Sequence, residues 1–365
     1  MKKLNIRKAI MYFAYQHLNL NMQIKLFKLL NYNQPCGYGE IYSVSVQKAF
    51  DKYLNEDEKQ DKDLLESLKN DMIYCWCKFK ALPYEYFLYD FRHKNDKERD
   101  EYETDIDRVL SLRKTVNNKV FLNEINNKYN LYCKAKSFFA REAIVVSSEA
   151  DRNTFMQFVQ AHPHIFCKPL KSSEGRGALS VDIDSQQTAC QLFAQLIEQP
   201  GGYIIEEKIV QVDEMAFWNP TSVNTIRIPT FYRNNTFTVI WTRMRMGQKG
   251  SVVDNVAAGG FVVNVDPATG IVVSDGVDEN YNRFEIHPDL HVRFKDWQVP
   301  RWNELLETVE KLHRQLFPNH VYVAWDFALT EKGWVLVEGN WGKLLGYQLA
   351  SKVGVKKEFH ELIGV

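Results

Sequence analysis

The most constraining stretch of this chain lies near its C-terminus and reads Val321-Tyr-Val-Ala-Trp-Asp-Phe-Ala-Leu-Thr-Glu-Lys-Gly-Trp-Val-Leu-Val-Glu-Gly-Asn340. Two β-rich runs flank Glu331-Lys332-Gly333, and a three-residue loop ending in glycine predicts a type I turn followed by a left-handed residue. That loop pairs Thr330 with Trp334, and therefore Asp326 with Glu338. Because side chains alternate across a strand, Asp326, Glu338 and Asn340 are expected on one face. Two facing carboxylates repel unless a cation or a shared proton lies between them. Mg²⁺ takes oxygen ligands of this kind at about 2.0–2.1 Å and keeps positions open for phosphate oxygens, so a nucleotide is the natural companion. An exposed hairpin face with two solvated acids fits the same residues, and the rest of the chain must decide between the two.

With 365 residues, 45% of them hydrophobic, the chain can bury a large core and is expected to form two domains or one with subdomains. Lys+Arg and Asp+Glu both number 46, so no global field recruits nucleic acid and any anion site is built locally. The cysteines Cys36, Cys75, Cys77, Cys133, Cys167 and Cys190 include no CxxC pair, which points to free thiols in a reducing cytoplasm. The basic, aromatic start Met1 to His17 lacks a small-residue cleavage site, and no apolar run is long enough for a spanning helix. Such a start could rest on an anionic membrane surface or pack against its own domain.

Residues 1–118 read as helical, charged and aromatic, with a boundary at the polar Val116-Asn-Asn-Lys119. Ala81 to Phe91 crowds aromatics after a proline and predicts a core helix, followed by a solvated helix start from His93. From residue 119 short strands alternate with amphipathic helices. Strands are expected at 144–146, 165–169, 179–183 and 203–207, with helices over 148–161 and 186–199. Further on, 224–232 and 236–245 form a hairpin about Arg233-Asn-Asn235, and 261–265 with 271–274 form another; a helix over 302–316 precedes the terminal hairpin.

Lys168 ends a strand just before the loop Lys171-Ser-Ser-Glu174-Gly175-Arg176-Gly177. From there an ammonium can reach phosphate oxygens while loop amides and Arg176 close over them, and glycines permit close backbone approach. The order of a Walker A loop is absent, and a surface turn accounts for the loop equally. Tyr203-Ile-Ile-Glu206-Glu207 ends an apolar strand at a linker that could offer backbone groups to an adenine edge; the two acids face opposite ways. Arg227, Arg243 and Arg245 fall on neighbouring strands. Either a phosphate or carboxylate ligand, or an internal partner such as Asp254 or Glu338, answers their charge.

Lys168-Pro, the Glu-Gly-Arg-Gly loop, Ile-Glu-Glu, Asp326 and Glu338-Gly-Asn340 occur in the order of an ATP-grasp nucleotide site, and residues 119–365 resemble an ATP-grasp domain. More narrowly, Asn127-Lys128, Pro220 to Arg227, Val253-Asp-Asn255 with Gly259-Gly260, Trp325-Asp-Phe, and the N-terminal Tyr84-Glu-Tyr-Phe resemble the sugar-transfer-associated ATP-grasp group found among polysaccharide-biosynthesis genes. The resemblance implies an α+β fold in which two subdomains, a lid of about 151–208 and a metal-binding antiparallel sheet of about 209–365, clasp ATP, with a helical N-terminal domain. It also implies that Lys128 and Lys168 hold phosphates, that Lys171, Glu174, Gly175, Arg176 and Gly177 form the phosphate lid, and that Glu206, Glu207 and Ile209 form the adenine linker. Glu214 would contact ribose, and Asp326, Glu338 and Asn340 would ligate Mg²⁺.

The activity so implied joins a carboxylate to an amine through an acyl phosphate, with Arg227, Arg243 and Arg245 stabilising the transferring phosphoryl group. The expected substrates are a sugar, uronic acid or glycan precursor and an amino acid, in capsule or surface-polysaccharide synthesis, with contact to membrane-bound glycan machinery. A kinase of a sugar or small alcohol, or a non-catalytic scaffold for glycan synthesis, competes with this reading.

Overall fold

The apolar spacing of the first third folds into the helices Leu20–Leu29, Tyr42–Tyr53, Lys62–Phe79, Pro83–Leu88 and Asp105–Thr115. The computed structural model describes residues 17–30, 40–115, 118–170, 175–254, 256, 259–278 and 280–365. The expectations for residues 1–16, for Cys36, for Lys171 and Glu174, and for Asn255 lie outside the described residues.

Two compact units make up the chain: Met1–Lys114 with Lys343–Val365, and Thr115–Gly342. The expected boundary near 118 assigned everything after it to one domain. The last residues instead belong with the helical unit, because Leu345 and Leu349 pack against its aromatic core of Phe27, Tyr42, Phe50, Trp76, Tyr86 and Phe91. In that core the helix Pro83–Leu88 starts on proline, and the Glu85 carboxylate accepts from Leu82 N and Asp105 N, both at 2.8 Å. The described cysteines are free, and burial pushes the Cys77 thiol up to about 12. No described helix is long and apolar enough to cross a membrane.

The second unit contains two sheets. Strands β1 (Ala143–Val146), β2 (His164–Pro169), β3 (Leu179–Asp182) and β4 (Tyr203–Glu207) form an antiparallel sheet in the order β1-β4-β2-β3. The helices Arg152–Ala161 and Gln186–Glu198 cover it through Phe155, Phe158, Leu192 and Phe193. The larger sheet contains β5 (Thr225–Arg233), β6 (Thr236–Val239), β7 (Arg243–Met246), β8 (Phe261–Asn264), β9 (Gly276–Val277), β10 (Arg283–Phe284), β11 (Tyr322–Thr330) and β12 (Gly333–Asn340). Its order is β10-β9-β8-β7-β5-β11-β12, with β6 also on β5. Central β11 is buried from Tyr322 to Leu329, as a strand flanked on both edges and covered on both faces must be.

Two register changes shape this sheet. The run expected as one strand over 236–245 breaks at Trp241, which has φ +57° and is buried edge-on against Phe231. Between the pairs Thr230↔Val239 and Arg227↔Arg243, Ile228 and Pro229 of β5 face Ile240, Trp241 and Thr242, so one extra residue enters the second strand. The terminal hairpin carries the other. Its turn pairs Thr330 with Gly333, not with Trp334, yet Asp326 still faces Glu338 because the register shifts between Asp326 and Phe327, leaving Val337 as the extra residue. Gly333 holds φ +118°, and a Cβ there would lie 2.8 Å from Glu304 Oε1.

The helix Trp302–Leu316 packs its apolar face on this sheet through Leu305, Val309 and Leu312. His313 goes in with them: Nδ1 lies 2.7 Å from Thr230 Oγ1 and Nε2 lies 2.7 Å from the His320 carbonyl. Burial holds its pKa down to about 4. Unfolded, the imidazole titrates near 6.5, so as pH falls below that value only the unfolded chain takes up the proton. The expected result is stability that is full above about pH 6.5 and declines toward pH 4 by up to about 3 kcal/mol. Urea unfolding across that range in wild type and in His313→Gln measures it, since the variant must lose this component of the slope.

Candidate active site

The two extra residues bring charged side chains into one row across the large sheet. Glu338 pairs with Asp326, Asp326 with Arg227, Arg227 with Arg243, and Arg243 with Asn264. Directly paired residues share a face, so two acids, two guanidinium groups and an amide stand side by side. Asp326 is fully buried at the centre of the charge. Arg227 donates to Oδ1 at 2.7 Å and Oδ2 at 2.6 Å, and Arg245 donates to Oδ2 at 2.9 Å. Burial alone would raise its pKa; Arg227 and Arg245 outweigh burial and hold it well below the usual range.

Glu338, at the end of the row, behaves differently. Its side chain is 38% exposed and 3.4 Å from Arg227 Nη2. Desolvation and the neighbouring Asp326 raise it to about 7. Asn340 donates to Glu338 Oε1 at 3.4 Å, and its own amide oxygen accepts from Gly342 N at 2.7 Å. Arg243 is buried, and its Nε and Nη2 have no hydrogen-bond partner. Burial and the adjacent Arg227 lower its pKa to about 9. Arg245 instead has Asp326, Thr225 Oγ1 at 2.8 Å and Asp254 at 3.5 Å.

Glu338 also lines a cavity of about 330 Å³ together with Lys168, Glu206 and Glu207 of the smaller sheet, Gly175 and Arg176 of the loop between β2 and β3, and Lys128. Ile209, Val210, Gln211, Thr221, Ser222 and Arg245 are also among the lining residues. Lys128 opens the helix Lys128–Lys134, and burial lowers its pKa while Glu338 opposes that. Lys168 donates to Glu206 Oε2 at 2.9 Å, and Arg141 Nη2 donates to the same oxygen at 2.9 Å. Arg141 Nη1 also donates to the Leu336 carbonyl of β12 at 2.7 Å, so one guanidinium ties the acid behind Lys168 to the hairpin. Glu206 is buried and Arg141 and Lys168 keep it ionised against desolvation.

A model of the family described as sugar-transfer associated ATP-grasp matches residues 99–362. The chain belongs to the sugar-transfer associated ATP-grasp family. No curated protein matches it. Among solved structures it is similar to D-alanyl-alanine synthetase A from Vibrio cholerae O1 biovar eltor, at 11% identity over 66% of this chain and 65% of that one with TM-score 0.41. It is also similar to N5-carboxyaminoimidazole synthetase from Staphylococcus aureus complexed with ADP, at 10% identity over 67% and 53% with TM-score 0.41. A third is D-alanine–D-alanine ligase from Bacillus anthracis complexed with ATP, at 13% identity over 66% and 65% with TM-score 0.39. This chain spans 65% of the Vibrio and Bacillus proteins. The ATP-grasp fold, of α+β class, is the fold expected for it.

Within this ATP-grasp fold the residues expected to touch nucleotide divide. Lys128, Lys168, Gly175, Arg176, Glu207 and Ile209 line the cavity. Glu206 lines it too, with its carboxylate held between Arg141 and Lys168. Glu207 accepts from Glu142 N at 2.6 Å and pairs with His162. Glu214 is exposed on the short helix Asp213–Ala216 and is not among the lining residues; Gln211 occupies the linker wall instead. Arg141 and Gln211 were missed. A lone arginine before an apolar strand and a linker glutamine have no spacing pattern, so nothing local distinguishes them.

The donor set suits a nucleotide and a hard cation. Lys128, Lys168, Arg176 and Arg245 line the cavity together with the partly exposed Glu338 carboxylate. A carboxylate has about four lone-pair directions. Asp326 uses three in the bonds above, leaving one on Oδ1, and Asn340 Oδ1 keeps its second lone pair.

Proposed function

We propose that this protein is an ATP- and Mg²⁺-dependent carboxylate–amine ligase that attaches an amino acid or amine to a sugar or uronic acid in capsule or surface-polysaccharide synthesis. The observation that carries the reading is one cavity lined together by Lys128, Lys168, Arg176 and Glu338. Lys128 and Lys168 bind phosphate oxygens, with Lys168 held in place by Glu206 and Arg141. Gly175, Arg176 and Gly177 cover the phosphates, and Ile209 and Gln211 face the base. Glu338, Asp326 and Asn340 would hold magnesium, which when bound neutralises charge on the β- and γ-phosphates. The substrate carboxylate takes the γ-phosphoryl group and ADP leaves; the amine then attacks the acyl carbon, phosphate leaves and the amine proton is lost. Arg227, Arg243 and Arg245 stabilise the phosphoryl oxygens during transfer. Free buried thiols suit a reducing cytoplasm, where ATP is also available.

The test crosses amino acids with uronic acids and nucleotide sugars, reads ADP release, and identifies the product by mass spectrometry. ADP and phosphate released together with an amide is the expected result. A phosphorylated product with no free phosphate replaces the ligase by a kinase, and absence of ATP binding in calorimetry leaves a scaffold.

A further inference from the structure

We infer that Glu103, Asp107 and His360, in the unit formed by Met1–Lys114 and Lys343–Val365, bind a zinc-class divalent cation. One ligand atom from each lies within 4.8 Å of the other two. His360 Nε2 is 3.4 Å from Glu103 Oε2 and 3.9 Å from Asp107 Oδ2. These are spacings that a small ion between them would contract only slightly.

The independent observation is the state of Glu103. Its side chain has 0% exposure, and neither carboxylate oxygen accepts a hydrogen bond. Its backbone, by contrast, is held at both ends. Glu103 N donates to Gln348 Oε1 at 2.9 Å, and the Glu103 carbonyl accepts from Gln348 Nε2 at 2.9 Å and from Tyr89 Oη at 3.3 Å. The fold thus fixes this residue firmly and leaves its carboxylate facing an imidazole and a second acid. A buried carboxylate without donors is costly unless a cation meets it.

Nearby cations have other commitments. Arg108 pairs with Asp105. Lys356 sits 2.7 Å from Asp100 and 3.2 Å from Asp107, so it neutralises the rim of the cluster without approaching Glu103 as a hydrogen-bond donor. Ser111 Oγ lies 3.1 Å from His360 Nε2 and is placed to contact an ion or its water.

Ligand chemistry selects the ion. One imidazole nitrogen with two carboxylate oxygens suits zinc and its neighbours, whereas magnesium and calcium favour all-oxygen sets. Glu103 lies two residues before the helix Asp105–Thr115, Asp107 lies in its first turn, and His360 lies on the helix Lys356–Ile363. The ion therefore clamps the C-terminal helix to the N-terminal one, and because the unfolded chain holds these ligands far apart, binding adds directly to stability.

The experiment uses the full chain, stripped with EDTA, dialysed, and kept in saturating magnesium. Zinc is then titrated while thermal unfolding is followed, and cobalt(II) is titrated in parallel while visible absorption is read. Expected are one strongly absorbing cobalt per chain, displaced by zinc, and a rise in Tm of about 3 °C or more at about a hundredfold excess over the dissociation constant. Asp107→Asn and His360→Gln are each expected to lose both signals. If either variant unfolds without metal, the cobalt spectrum of the other decides. No zinc-dependent rise in wild type, or a rise and cobalt band that persist in the variants, overturns the site.

Discussion

Glu338→Gln folds normally and releases no ADP with any substrate pair, a loss of at least about 10³-fold, or about 4 kcal/mol of transition-state stabilisation. The two halves of that result have separate causes. Arg227 Nη2 and Asn340 Nδ2, each 3.4 Å from Glu338 Oε1, are donors that an amide oxygen can satisfy as well. Burial and Asp326 already bring the Glu338 carboxyl to about 7, so near neutral pH glutamine copies a form that the folded chain populates. Unfolding free energy is therefore expected to change by less than about 1 kcal/mol. Metal ligation, however, needs the negative charge. Calorimetry with and without magnesium separates the two: the variant keeps its affinity for metal-free ATP and loses the magnesium-dependent gain. Full turnover by Glu338→Gln removes the metal assignment.

Arg243→Met and Arg245→Met, two residues apart on one strand, are expected to shift stability in opposite directions while both abolish turnover. Arg243 is buried with Nε and Nη2 unpartnered beside Arg227, so exchanging it for an apolar chain of similar length removes an uncompensated charge. Stability should rise by about 1 kcal/mol or more. Arg245 neutralises Asp326 and Asp254, and its loss leaves buried acids short of a partner, costing about 3 kcal/mol. Urea unfolding of the two variants measures this difference. A destabilised Arg243→Met shows that the residue serves the fold, and the proposal that it is kept for an anionic reaction partner then fails.

Much of the fold was legible in the sequence because its signals are local and periodic. The helix Trp302–Leu316 and the strand Tyr203–Glu207 occupy the residues that spacing alone indicated. The facing of Asp326 and Glu338 was legible too, although through an incorrect turn: the expected loop length and the shift at Val337 give the same pair. What was not legible depends on partners distant in the chain. Glu206 reads as a strand-end acid available to a ligand, and only the arrival of Arg141 and Lys168 on either side commits it. Whether Arg227 and Arg245 answer a ligand or an internal acid was likewise open, and the structure has both on Asp326. Of the return of Lys343–Val365 to the helical unit, no pattern in the segment itself gives notice, since an amphipathic helix does not name the surface it packs on.

The extra residues at Ile240–Thr242 and at Val337 mean that chain length at two points carries information that side-chain identity does not. Insert one residue beside Val337 with the bulge otherwise unchanged, and the place opposite Asp326 falls to the new residue, so that Glu338 no longer faces Asp326. Lengthen 240–242 by one and Thr242 would slide into the place opposite Arg227 that Arg243 now holds. Every charged residue would survive either insertion, and a comparison of compositions would find nothing lost. Single-residue insertions at these points are therefore expected to be null, while deletion of Val337, which closes the bulge and leaves Glu338 opposite Asp326, is expected to keep the row.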